Sequence, residues 1–122
     1  HLEITNLVIP TLNDQADLFA DMTSWIADEL GPDTVLHLSR YHPDYKFYIE
    51  PTPPVKLEEF YEIAHKKLTY VYVGNISLGD LQNTYCNSCG ELLVTRQGYR
   101  VDVNGLTLTG SCVNCGNQVL VR

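Results

Sequence analysis

Tyr85-Cys86-Asn87-Ser88-Cys89-Gly90 and Cys112-Val113-Asn114-Cys115-Gly116 are two Cys-x2-Cys-Gly stretches 22 residues apart, and they hold all four cysteines of the chain. Two such knuckles can bring four thiolates to one point, and in a reducing setting four thiolates are the ligand set of one tetrahedral metal ion. Zinc is the expected metal, because a closed four-cysteine site is most often structural zinc. Iron in the same ligand set would make an electron carrier. The glycine after each knuckle lets the chain turn so that backbone N–H groups face the sulfurs. Two disulfides are the other reading of four cysteines, and they require an extracytoplasmic setting. Cys86, Cys89, Cys112 and Cys115 are therefore the candidate metal ligands of a segment of ~38 residues, too short to hold a core of its own.

Around the knuckles the pattern is that of a small β module. Glu91–Thr95 and Tyr99–Val103 alternate apolar and polar residues as strands do. Asn104-Gly105 reads as the hairpin turn between two strands, Leu106-Thr107-Leu108 as the return strand, and Gln118–Val121 as the closing one. Residues 76–84 form a polar linker. Upstream the pattern changes. His1–Ile9 is rich in β-branched and apolar residues and ends at Pro10. Thr11 or Asn13 can cap a helix, with Asp14 and Asp17 in its first turn. Leu18, Phe19, Met22, Trp25, Ile26 and Leu30 mark one buried helix face, closed by Gly31-Pro32. Thr34–Ser39 reads as a second strand. Pro51, Pro53 and Pro54 break regular structure. Leu57, Phe60, Tyr61, Ala64 and Leu68 space out a second amphipathic helix, and Tyr70–Asn75 a third strand. Strand, helix, strand, helix, strand predicts an α/β unit with parallel strands and right-handed crossovers. Three parallel strands are few for a free-standing domain. The chain also opens inside a strand, which points to a piece of something longer.

Charge narrows the function classes. The net charge is −7. Residues 1–84 carry five basic side chains against thirteen acidic ones, and residues 85–122 carry three against two. Neither part has the basic patch of a nucleic-acid binder. No apolar run approaches the roughly 20 residues that span a membrane. No secretory leader opens the sequence, so a cytoplasmic setting is expected. There is no Cys-x3-Cys-x2-Cys, no glycine-rich phosphate loop and no nucleophile–base pair at recognisable spacing.

In α/β folds ligands bind at the carboxyl ends of parallel strands. Those ends are expected to supply Thr5, Asn6, Ser39, Arg40, Tyr41, His42 and Asn75. His42 is the most suggestive, with an aromatic on one side and Pro43 on the other; its bland reading is a loop histidine bonded to backbone. His37 reads as a packed strand residue, and His65 as a solvated helix residue beside Lys66 and Lys67. Trp25 and Phe19 read as helix core, and Glu58, Glu59 and Glu62 as a solvated helix face.

The stretches HLEITNLVIPTLND (1–14), HLSRYHPDYK (37–46), YVYVGN (70–75) and the NTYCNSCG run (83–90) together cover nearly the whole chain in order. They resemble the C-terminal part of a radical S-adenosylmethionine enzyme of the AmmeMemoRadiSam system, the pyruvate formate-lyase activating enzyme-like family. The resemblance implies that residues 1–78 are the last β/α units of a partial (β/α) barrel and that 79–122 are a four-cysteine zinc ribbon. It implies that His42 contacts S-adenosylmethionine in the full protein, with residues near Pro10 lining the same cavity less directly. It also implies that the 4Fe–4S cluster belongs to the N-terminal remainder, because its three-cysteine motif is absent here. Without a cluster this oxidoreductase-like chain has no electron source and is not catalytic alone. The expected partners are that N-terminal remainder and a protein substrate, with no nucleic acid and no membrane. The open barrel edge predicts a homo-oligomer formed by strand pairing. The alternatives are a stand-alone zinc-ribbon interaction module and a rubredoxin-like iron carrier.

Overall fold

A computed structural model describes residues 1–119 of the 122, so Leu120 and Val121 of the expected closing strand lie outside the described residues. The chain divides into two compact units, His1–Leu81 and the residues from Gln82 onward.

The first unit is the expected parallel arrangement. β1 (Glu3–Val8), β2 (Val35–Arg40) and β3 (Val71–Gly74) lie side by side in chain order, all parallel. α1 (Ala16–Trp25), continued by a π-turn over Ile26–Leu30, and α2 (Pro54–His65) make the two crossovers. The pairing sets Thr5, His37 and Tyr72 in one row across the sheet, and Asn6, Leu38 and Val73 in the next. Successive residues point to opposite faces. The Val8, Leu36, Leu38, Val71 and Val73 face is therefore buried against Phe19, Ile26, Leu57, Phe60, Ala64 and Leu68. Phe19 of α1 stacks on Phe60 of α2 with ring centroids 3.9 Å apart, which locks the two crossovers together. On the opposite face Thr5 and Leu7 are exposed, and His37, Ser39 and Tyr72 are half-buried.

Several local expectations change. Leu18, Trp25 and Leu30 are not core; they stand 62%, 57% and 42% exposed. A three-stranded sheet and one neighbouring helix bury the Phe19–Thr23–Ile26 arc of α1 and partly cover Ala16, Met22 and Ala27 beside it. Neither Thr11 nor Asn13 caps α1. Asn13 instead holds the preceding loop, accepting from the Ile9 N–H at 2.6 Å and donating to the Leu7 carbonyl at 2.8 Å, while Gln15 stands at the helix start without a side-chain cap. Pro54 does not break structure but opens α2, where its missing N–H would have had no helical partner. The carboxyl ends of the strands fall at Val8, Arg40 and Gly74, so Thr5 and Asn6 sit inside β1 rather than at its end.

The second unit is antiparallel. β4 (Thr84–Tyr85) pairs with β5 (Leu92–Gln97), and β5 with β6 (Arg100–Asp102). The hairpin turn is Gly98-Tyr99, with Gly98 at φ 58°, and not Asn104-Gly105. Beyond β6, among the described residues, two isolated bridges stand in place of the expected return strands, Leu106 with Cys112 and Ser111 with Gln118. Arg96 fastens the start of the unit to β5. Its Nη1 donates to the Gln82 carbonyl and to Thr84 Oγ1, and its N–H to Asn83 Oδ1.

Candidate metal centre

The four cysteines of the second unit converge. Their sulfur atoms all lie within 4.8 Å of one another. Cys86 Sγ is 3.7 Å from Cys115 Sγ, and Cys89 Sγ is 3.7 Å from Cys112 Sγ. A tetrahedron with metal–sulfur bonds of about 2.3 Å has edges of about 3.8 Å. The cluster therefore has the size of a tetrathiolate cage, and no two sulfurs are joined in a disulfide. Cys86 and Cys112, the first cysteine of each knuckle, are buried; Cys89 and Cys115, the second, are exposed.

The two knuckles are copies of one backbone design. Gly90 N–H donates to the Cys86 carbonyl at 2.9 Å, and Gly116 N–H to the Cys112 carbonyl at 2.9 Å. Cys86 N–H donates to the Glu91 carbonyl at 2.8 Å, and Cys112 N–H to the Asn117 carbonyl at 2.8 Å. Both glycines take the left-handed conformation, at φ 77° and 75°, which a side chain would resist. Each tight turn closes over its own sulfur pair, and the two turns face each other across the site.

The hydrogen bonds around the sulfurs tune their charge. The Cys89 backbone N–H, helped by that of Ser88, brings the Cys86 thiol down to about 6 against the opposing push of burial. The Asn114 side-chain amide, then the Glu91 N–H, lower Cys89. For Cys115 the Asn117 N–H also acts to lower, but the neighbouring sulfurs of Cys89, Cys86 and Cys112 together with burial push it up to about 11. Four thiolates this close repel one another, a repulsion that a bound dication would offset.

Two residues that the spacing does not reveal cross between the knuckles. Asn114 Nδ2 lies 3.5 Å from Cys89 Sγ, and Asn117 Nδ2 lies 3.9 Å from Cys86 Sγ and donates to Asn87 Oδ1 at 2.8 Å. Each amide thus reaches from the second knuckle to a sulfur of the first. Their polar identity is visible in the sequence; their direction is not.

In the first unit the strand-end residues do not assemble into a comparable cluster. His42 is exposed, with Nε2 3.5 Å from the Asn75 carbonyl. Asn75, at φ 62°, donates its side-chain amide to the Arg40 carbonyl at 2.9 Å. Arg40 Nε donates to the Thr52 carbonyl. Tyr41 is buried, and its hydroxyl has no hydrogen-bond partner among the described residues. His37 lies 2.7 Å from Glu3 and beside the Tyr72 ring. His65 is exposed and stacks on Tyr61, and Glu58, Glu59 and Glu62 are exposed as expected. Thr52, missed in a proline-rich stretch, is the fully buried hub of this edge. Its hydroxyl donates to the Val8 carbonyl at 2.5 Å and accepts from the Tyr41 N–H at 2.9 Å.

An uncharacterized protein of Methanocaldococcus jannaschii is 40% identical over 121 residues, a match that covers 97% of this chain and 36% of that protein. The chain therefore spans little more than a third of the length of this curated relative. No protein-family model matches the chain, and no solved structure does. Among the described residues no helix is long and apolar enough to cross a membrane.

Proposed function

We propose that the four cysteines hold one structural zinc ion whose binding folds the C-terminal unit, in a chain that forms part of a larger enzyme. The observation that carries the metal reading is the pair of superimposable knuckles with sulfurs 3.7 Å apart across them. Metal analysis of the purified protein tests it, with one zinc per chain expected. Stoichiometric iron with a thiolate-to-iron absorption band would replace a structural zinc by a rubredoxin-like electron carrier.

The larger enzyme is proposed to be a radical S-adenosylmethionine enzyme of the activating type. Parallel β1–β3, with helices packed on one sheet face and polar residues on the other, support placing them as closing strands of a partial (β/α) barrel. Exposed His42, just beyond the carboxyl end of β2, is the residue that would touch S-adenosylmethionine. The 36% coverage of the longer archaeal protein accords with a chain that is part of a larger one. With no three-cysteine cluster motif in this sequence, the chain alone does not generate a radical. Calorimetry with S-adenosylmethionine should show no tight binding to this chain; tight binding would contradict the claim that most of the site lies elsewhere. A full-length sequence lacking Cys-x3-Cys-x2-Cys would remove the radical reading and leave a zinc-ribbon interaction module. The outer edge of β1 is unpaired in this sheet, so self-association by strand pairing should appear in sedimentation at high concentration.

A further inference from the structure

α1 buries one face and leaves two large apolar side chains outside it. Phe19, Thr23 and Ile26 face the core. Met22 is half-buried against that core, while Leu18 and Trp25, seven residues apart on one side of the helix, are 62% and 57% exposed. Beside these two side chains run Asp17 and Asp21, at i and i+4, with Asp28 and Glu29 about two turns further on in the π-turn; all four are exposed. None of the four has a basic partner within ion-pair distance among the described residues. Residues 1–39 contain seven acidic side chains and no lysine or arginine. An apolar ridge bordered by unneutralised carboxylates selects its own cover.

We propose that this outer face of α1 docks a basic amphipathic helix of a partner segment, its aliphatic side chains on Leu18 and Trp25 and its Lys or Arg residues against Asp21 and Asp28. A second copy docked through the same face would set carboxylates against carboxylates, and an anionic lipid surface would be repelled in the same way. A helix with lysine flanks both covers the two apolar side chains and neutralises their border. The inference uses neither the metal centre nor the S-adenosylmethionine reading, so it stands or falls separately from both.

Trp25 is the single tryptophan of the chain and reports on this face directly. Two helical peptides of equal length and identical leucine stripes are titrated into the metal-loaded protein, one flanked by lysine and one by glutamate. The lysine peptide is expected to move Trp25 emission to shorter wavelength, saturably, with affinity falling about tenfold between low salt and about 0.5 M salt. The glutamate peptide should leave emission unchanged. In the Asp21→Lys/Asp28→Lys variant, shown folded by circular dichroism, the preference should invert. Leu18→Asp, on an exposed position, should abolish binding of either peptide. The proposal is overturned by equal response to both peptides, by no response, by a preference that survives the charge reversal, or by a blue shift that grows with protein concentration alone.

Discussion

Gly105→Ala should disassemble the metal centre without touching a ligand. A Cβ built at residue 105 would lie 2.5 Å from the Leu93 Cα and closer still to the Leu92 carbonyl oxygen. Both atoms are backbone of β5, so neither can swing aside as a flexible side chain would. The same residue makes two backbone bonds that tie the second knuckle to the strand. Gly105 N–H donates to the Leu93 carbonyl at 3.1 Å, and Val113 N–H donates to the Gly105 carbonyl at 3.0 Å. Relieving the clash moves the segment away from β5 and loosens both bonds. Overpacking costs about 1–3 kcal/mol and each lost bond about 1 kcal/mol, so about 3–5 kcal/mol in all. That exceeds what a small unit has in reserve. Zinc affinity measured by competition with a chromophoric chelator should fall by at least about a hundredfold, since about 2.8 kcal/mol already corresponds to that factor. Gly98→Ala is the control. Gly98 needs its left-handed φ of 58°, but a Cβ there meets nothing within 4 Å. Its cost should stay near the roughly 1–2 kcal/mol of a left-handed alanine. If Gly105→Ala binds zinc as tightly as Gly98→Ala, the close approach is not what positions the second knuckle.

Removing the cross-knuckle amides should weaken the centre more gently. Asn114→Ala and Asn117→Ala each leave four cysteines in place, and zinc affinity should fall about 10- to 100-fold, the usual range for groups that orient metal ligands; unchanged affinity in both would make the amides bystanders. In metal-free protein the two exposed thiols should differ. Cys89 is lowered by the Asn114 amide and the Glu91 N–H, whereas Cys115 is pushed up to about 11. Cys89 is therefore the more ionised at any pH below 11, and iodoacetamide should label it first at pH 7, with Cys115 following only as the pH rises toward 11. Peptide mapping by mass spectrometry checks the order; equal rates would refute it, and bound zinc should slow both. In the first unit, Thr52→Val keeps the shape but strands the Val8 carbonyl and the Tyr41 N–H. With each buried orphan costing about 1–3 kcal/mol, chemical denaturation should report a loss of about 2–6 kcal/mol. A loss below about 1 kcal/mol would mean that water replaces the hydroxyl.

The features legible in the sequence are those fixed by spacing. The alternation at Leu36 and Leu38, and helical spacing at Leu57, Phe60 and Ala64, place the parallel strands and α2 because burial acts on every repeat. The knuckles are legible because four sulfurs at fixed offsets have few other uses. What spacing hides is which of two competing partners a residue meets. Asn104-Gly105 carries the strongest short-range hairpin signal, yet Gly105 is needed where β5 passes against it, and Gly98-Tyr99 takes the turn. Asn13 is a good helix cap by type, but its side chain is occupied by the Ile9 and Leu7 backbone. Trp25 fits a buried stripe by period, and only the tertiary structure reveals that the core covers Phe19, Ile26 and part of Met22 but leaves Leu18 and Trp25 outside. Asn114, Asn117 and Thr52 are ordinary polar residues until the fold aims them.

The two units differ in what can hold them together. The first buries a cluster of eleven residues shared between three strands and two helices. In the second, the buried cluster is Leu93 and Val94 with Cys86 and Cys112, joined by the partly buried Leu106 and Val119. Two fully buried aliphatic side chains contribute about 1.5–3 kcal/mol each. Ordering the backbone of even a ten-residue stretch costs about 10–20 kcal/mol. Short antiparallel pairs and two isolated bridges do not make up that difference. A tetrathiolate metal site contributes on the order of 10–16 kcal/mol when its ligands are deprotonated, and it does so only in the folded arrangement. Two of the six members of that small core, Cys86 and Cys112, are themselves candidate ligands. With the proposed metal, binding and core formation in this unit would be one event, which would let its knuckles repeat the same backbone turn on either side of so little apolar packing.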